Sequence, residues 1–232
     1  ILICTTACLR AHLQADNPVV DLAYARYRGY YNSTSGLNVF LGRWPIAIIS
    51  KESKNTDPYL LVARVRYATP PVGRMRWQAP QPPVSNRTTI IPATHQPPLC
   101  PQSGAAQLPK VYGFSSNLGD EDCLYLNVFT PPSARDLPVL VWIRKLISLY
   151  TVYKILIKTY VLRCGTDGGG YGLSGAVHDP SDWINTNDNG FISVMIQYRL
   201  GAFGFLSSAD VAKYGQTNVG LLDMRLALEW VQ

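Results

Sequence analysis

The sequence predicts an α/β fold, built on a mixed sheet that starts antiparallel and continues with strands joined by helices. Three observations predict it. Two nearly unbroken apolar runs, Pro138-Val-Leu-Val-Trp-Ile143 and Phe191-Ile-Ser-Val-Met-Ile-Gln-Tyr198, have the length and character of strands buried on both faces of a mixed or parallel sheet. A Pro-free segment from Gly220 to Gln232 carries Leu221, Leu222, Leu228 and Val231 and reads as a helix, with Asn218 placed to cap it. Ahead of these, Ala25 to Tyr31, the polar turn Asn32-Ser-Thr-Ser-Gly36 and Leu37 to Leu41 read as a hairpin.

The remaining elements follow in order. Tyr67 to Pro83 is rich in proline and reads as loop, as does Cys100 to Gly119. Leu124-Tyr-Leu-Asn-Val-Phe129 reads as a strand ended by Pro131-Pro132. With 232 residues and 47% hydrophobic composition, the chain can bury a real core, and a charged content of only 16% argues against disorder. No internal repeat is visible.

A net charge of +6 looks like a hint of nucleic-acid or membrane binding, but it sits in two segments and gives no evidence of a nucleic-acid footprint. Arg43–Arg64 carries +2 and Arg144–Asp167 carries +4, while the rest of the chain balances 12 basic against 12 acidic residues. The opening run Ile1 to Leu9, followed by Arg10 to Ala15, reads as the remnant of a secretory signal peptide; a buried strand or a ragged gene-model start is the alternative. Cys4 and Cys8 fall in that run and Cys164 in the second basic stretch, so Cys100 and Cys123 are left as one pair, which suits an exported protein with a single disulfide. The sequons Asn32-Ser-Thr34 and Asn86-Arg-Thr88 make Asn32 and Asn86 glycosylation candidates on a secreted surface.

Five blocks carry a family resemblance. Glu121-Asp-Cys-Leu-Tyr-Leu-Asn-Val-Phe129 resembles the type-B carboxylesterase signature around its first disulfide. Tyr67 to Trp77, with Ala79-Pro-Gln-Pro-Pro83, resembles that family's Pro-rich segment, and Gly168-Gly-Gly-Tyr171 its oxyanion loop. Tyr198-Arg-Leu-Gly-Ala-Phe-Gly-Phe205 and Asn218-Val-Gly-Leu-Leu-Asp223 resemble the next two landmarks. All five occur in the family's order.

The resemblance implies an α/β-hydrolase fold, here its N-terminal part, over residues 16–232. It implies a Ser/Glu(Asp)/His enzyme that cleaves small-molecule or lipid esters without a metal or organic cofactor. Gly169 and Gly170 would donate backbone N–H groups to the oxyanion, and Gly168 would shape the turn. Arg76 would pair with Glu121 and Arg199 with Asp223, in structural roles. The family's nucleophile lies in a Gly-x-Ser-x-Gly elbow after the strand that follows the helix ending at Gln232, and no such motif occurs in these residues. The chain is therefore expected to stop short of the triad and to be inactive, so no catalytic residue is assigned. Gly172-Leu-Ser-Gly-Ala176 is read as a decoy, because Ser174 lies in the oxyanion loop and only His178 follows it. His12, His95 and His178 form no Ser/Asp/His arrangement and are read as surface or hydrogen-bonded residues.

Two stretches interrupt the family pattern, 43–64 and 144–167. Arg144–Asp167 has no turn chemistry and no evident place in the fold. Arg-Lys-Leu can be encoded with a splice donor after its first base, and Thr166-Asp167 with an acceptor. Joining them restores a single His between Ile143 and Gly168, so the stretch reads as a translated intron. The stretch 43–64 reads the same way, with a less clean junction. A membrane segment at 144–167 is disfavoured by its internal cations, and no transmembrane anchor is expected. The alternative function is a non-catalytic adhesion or binding protein on the same fold, and a third reading is a non-functional translation product.

Overall fold

The fold is that of a computed structural model, which describes residues 18–41, 65–94, 98–101, 119–132, 134–143, 150–155, 159–164 and 179–232. Two sheets form the scaffold. The smaller contains β1 (Val19–Asp21), β2 (Ala25–Arg28) and β6 (Asn86–Pro92), in the order β1-β2-β6. The larger contains β3 (Tyr30–Asn32), β4 (Leu37–Phe40), β7 (Tyr125–Thr130), β8 (Val139–Ile143), β9 (Tyr150–Ile155), β10 (Thr159–Cys164) and β11 (Ile192–Ile196). Its order is β3-β4-β7-β11-β8-β10-β9, and the short strand β5 (Val65–Arg66) pairs with β7 beside β4. The antiparallel start is present as expected: β3 to β4, β4 to β7 and β7 to β11 are all antiparallel, after which β8 runs parallel to β11.

The predicted hairpin holds in its second half and breaks in its first. Ala25 to Tyr31 is two strands in two sheets, divided at Gly29. Its N–H donates to the Pro18 carbonyl at 2.8 Å, and a Cβ on this residue would sit 2.7 Å from Phe40 Cδ1 and closer still to the Val39 carbonyl. Only glycine lets the chain cross there from one sheet to the other. The turn at 32–36 and the pairing of Tyr30 with Val39 are as expected.

Among the described residues four α-helices follow the strands or lie between them: α1 (Ser181–Thr186), α2 (Gly201–Phe205), α3 (Ala209–Tyr214) and α4 (Val219–Val231). The first three are not anticipated by the sequence. Asn218 precedes α4 but does not cap it with its side chain. It adopts left-handed backbone (φ 57°), and its carbonyl accepts from Leu221 N at 2.9 Å.

Alternation along the central strands sorts the core into two faces. Val141 and Ile143 of β8 and Val194 and Ile196 of β11 join one cluster, against which α4 packs through Ala227, Met224, Leu228 and Val231. Trp142 and Met195 point to the other face, where α1 packs through Ile184 and Trp183. The Trp142 and Trp183 rings lie 4.9 Å apart. The two crossover helices thus cover opposite faces of the sheet.

Within the stretch 144–167, for which the sequence offers no evident place, the described residues 150–155 and 159–164 form strands. β9 and β10 pair antiparallel, and β10 lies parallel along β8, from Thr159 opposite Val139 to Arg163 opposite Ile143. The physical reason is local propensity meeting an open edge. The run Thr151-Val-Tyr and Thr159-Tyr-Val is β-branched and aromatic, and β8 offers a row of unpaired backbone groups.

Cys100 and Cys123 are disulfide-bonded, with Cα atoms 5.0 Å apart across a separation of 23 residues, and both are fully buried. Loop closure of that length is worth about 3 kcal/mol. Reduction, or Cys100→Ala with Cys123→Ala, should therefore lower unfolding stability by about that amount. A chain whose urea midpoint does not move on reduction would contradict this.

Candidate active site

In open α/β sheets, ligands bind outside the carboxyl ends of the parallel strands, where neighbouring connections leave on opposite faces. Here that place is the end of β8 and β11, between Ile143 and Gln197. The residues just beyond β11 are described and are held by hydrogen bonds from several directions. Gln197 N donates to the Tyr125 carbonyl at 3.0 Å, and Gln197 Nε2 to the Pro98 carbonyl at 2.7 Å. The Tyr67 hydroxyl donates to the Gln197 carbonyl at 2.6 Å, and burial pushes this phenol well above its ordinary pKa, keeping it a neutral donor.

Arg199 comes next and is held by one carboxylate. Its backbone N donates to Asp223 Oδ2 at 3.0 Å, its Nε to Oδ2 at 2.8 Å, and its Nη2 to Oδ1 at 2.7 Å. Arg199 is 2% exposed and Asp223 0%. Burial raises the Asp223 carboxyl pKa, while the hydrogen bonds and charge of Arg199 pull it back down. Two glycines allow the close approach. A Cβ on Gly220 of α4 would lie 2.6 Å from the Arg199 carbonyl oxygen, and one on Gly204 of α2 would overlap that oxygen outright. The pair and the glycines together lock the end of β11 to the start of α4.

The Pro-rich segment is clamped beside this joint. Arg76 donates to Glu121 from Nε at 2.6 Å and from Nη2 at 2.5 Å. Trp77 stacks on Phe203 with centroids 6.4 Å apart, and its Nε1 donates to the Ala202 carbonyl at 2.9 Å. Both ion pairs implied by the resemblance are present. A third was missed: Arg66 forks onto Asp122 at 2.7 and 2.9 Å and also contacts the Tyr125 hydroxyl. Asp122 lies inside the signature block, but Arg66 lies just outside the stretch 43–64, and nothing in their spacing connects them. This cluster lines an open cleft of about 660 Å³ with Tyr24, Tyr27 and Ile90. The cleft opens by β5, three strands from β8 and off the switch point, so it is not the candidate site.

The oxyanion candidates Gly168, Gly169 and Gly170 lie outside the described residues, as do Ser174, His12, His95 and His178. The nearest described residues on either side of Gly168 to His178 are Cys164, which ends β10, and Asp179, whose Oδ1 accepts from Ser181 N at 2.9 Å and which leads into α1. The glycosylation candidates are both described. Asn86 is exposed at the start of β6, and Asn32 ends β3 in the turn. Among the described residues no group of His, Cys, Asp or Glu could hold a metal ion, and no helix is long and apolar enough to cross a membrane.

A mixed sheet with an antiparallel start, parallel β8 and β11, and helices on both faces is the arrangement found in the α/β-hydrolase fold. Solved structures agree. Aspergillus niger EstA superposes with a TM-score of 0.63 at 32% identity, covering 93% of this chain and 32% of that one. A thermophilic pNB esterase gives 0.64 at 29% identity, covering 92% and 34%. The Carboxylesterase family model matches residues 49–145 and 166–232, and the chain belongs to the carboxylesterase family. Among curated relatives, Secreted lipase 1 of Botryotinia fuckeliana is 36% identical over 73% of this chain and 29% of its own length. Carboxylesterase 1E of Rattus norvegicus is 32% identical over 93% and 32%. The chain spans about a third of the length of the relatives it matches. The family match begins inside the first irregular stretch and skips 146–165 within the second.

Proposed function

We propose that these residues are the front part of a secreted ester hydrolase of the carboxylesterase/lipase type, acting on small-molecule or lipid esters. The observation that carries the reading is the placement of β8. It ends at the switch point beside β11, and with 144–167 replaced by a single His, Gly168 to Gly170 would follow it after that one residue. In this reading Gly169 and Gly170 stabilise the oxyanion, a serine attacks the acyl carbon, a histidine takes its proton, and an acid orients the histidine. Neither metal nor organic cofactor has a role. The buried Arg199–Asp223 pair holds the scaffold and touches no substrate.

These 232 residues hold no Gly-x-Ser-x-Gly, and on their own they lack the triad. They are expected to hydrolyse a short-chain aryl ester no faster than buffer, since removing a triad costs about 10⁶ in rate in a well-studied protease. Turnover that disappears with Ser174→Ala would make Ser174 the nucleophile and overturn this assignment. Sequencing the transcript tests the gene reading as well. An open frame with one His between Ile143 and Gly168, running on to a Gly-x-Ser-x-Gly, is the expected result. A mature transcript that retains codons 144–167 would refute the intron. Export fits the buried disulfide, the two sequons and the opening apolar run, with residues 1–15 as the signal-peptide remnant.

A further inference from the structure

The sheet has a single place for a strand that follows α4. β8 and β11 are parallel neighbours, and β7 closes the other side of β11. Crossovers between parallel strands are right-handed almost without exception. With α1 on one face, the connection from β8 to β11 steps sideways in one direction. With α4 on the opposite face, a right-handed return from β11 must step the other way. β8 already stands there, so the next parallel strand is directed to the outer edge of β8.

That edge is taken. β10 runs parallel along β8 over five residue pairs, the whole length of the strand, and β9 covers the far side of β10. We infer that the β9–β10 hairpin occupies the seat of the strand that follows α4, and that hairpin and strand exclude one another. An edge presents one row of N–H and C=O groups and can satisfy one neighbour. The family match skips 146–165, so the hairpin is an addition to the pattern rather than part of the shared sheet. It also has the kinetic advantage. Thr159 pairs with Val139 only 20 positions upstream, whereas any strand beyond Gln232 must close a loop of more than 90.

The inference deepens the ester-hydrolase reading and rests on it, because the elbow serine is expected at the end of the displaced strand. With the hairpin seated, a nucleophile has no strand to hold it beside Gly169 and Gly170.

The test joins the chain at Gln232 to the remaining part of a carboxylesterase relative. One version keeps the hairpin and one replaces 144–167 with a single His. Hydrogen exchange read by mass spectrometry follows two segments, 159–164 and the first strand after 232. In the hairpin version, 159–164 should be protected, the new strand should exchange freely, and ester turnover should stay at background. In the replaced version the new strand should become protected and turnover should appear. A third variant, Val161→Pro, keeps the question open to refutation if the replacement misfolds. It breaks β10 at its centre and should move protection from 159–164 to the new strand. Protection of both segments in one molecule, or of neither, overturns the inference. If protection is exclusive but no version turns over ester, the topology stands and the ester-hydrolase reading fails.

Discussion

Asp223→Ala is expected to cost about 3–5 kcal/mol of folding stability, because it leaves a buried guanidinium without its carboxylate. Arg199 gives three hydrogen bonds to Asp223, and its Nη1 has no partner among the described residues. With both residues nearly sealed from water, the freed charge cannot be rehydrated without opening the joint between β11 and α4. A loss of that size is a large part of the ~5–15 kcal/mol that holds a typical domain together. Urea unfolding of the purified variant should show it as a large drop in midpoint. The double replacement Arg199→Met with Asp223→Leu should recover much of the loss, since an apolar pair leaves no orphaned charge. A variant Asp223→Ala as stable as the parent would mean that the pair is hydrated and that the tight geometry does not persist in solution.

Gly204→Ala should be nearly as damaging, at about 3 kcal/mol or more. The added methyl meets the carbonyl oxygen and carbonyl carbon of Arg199, which are backbone atoms with no rotamer to escape into. Either α2 lifts away or the end of β11 shifts, and both moves disturb the Asp223 fork. Gly73→Ala serves as the control. It has left-handed backbone, φ 55°, but open space where its Cβ would go, so only about 1–2 kcal/mol of backbone strain is expected. Thermal or urea unfolding of the two variants side by side separates crowding from strain. Equal losses would show that the Arg199 carbonyl is free to yield.

The elements legible in the sequence are those whose burial is written in composition. β7, β8 and β11 are apolar runs buried at most of their positions, and α4 has thirteen residues over which a periodic face can show. β6 is exposed at six of its seven positions and carries no such signal, and its pairing with β2 is decided sixty residues away. α1, α2 and α3 are each five or six residues, too short for a helical period to emerge. The hairpin β9–β10 is a different kind of miss. Its strand-forming residues were visible, but its place depends on which edge of the sheet stands open, which is a tertiary property. At the candidate site, Arg76–Glu121 and Arg199–Asp223 came from the family resemblance and are present as implied. The Arg66–Asp122 fork escaped because its two halves lie 56 positions apart, one inside the signature block and the other outside every block quoted for the family.

The passage through Gly29 makes the two sheets mechanically one body. β2 becomes β3 with no loop between them, and a second tie runs alongside. Ala93 N donates to the Arg28 carbonyl at 2.6 Å, and Leu41 N to the Ala93 carbonyl at 2.7 Å. A domain that joins its layers through flexible linkers can shed one and keep the other. Here the small sheet has no slack with which to part from the large one. Its melting is expected to belong to the same cooperative event, so that a lesion in β6, remote from β8, lowers the stability of both sheets together.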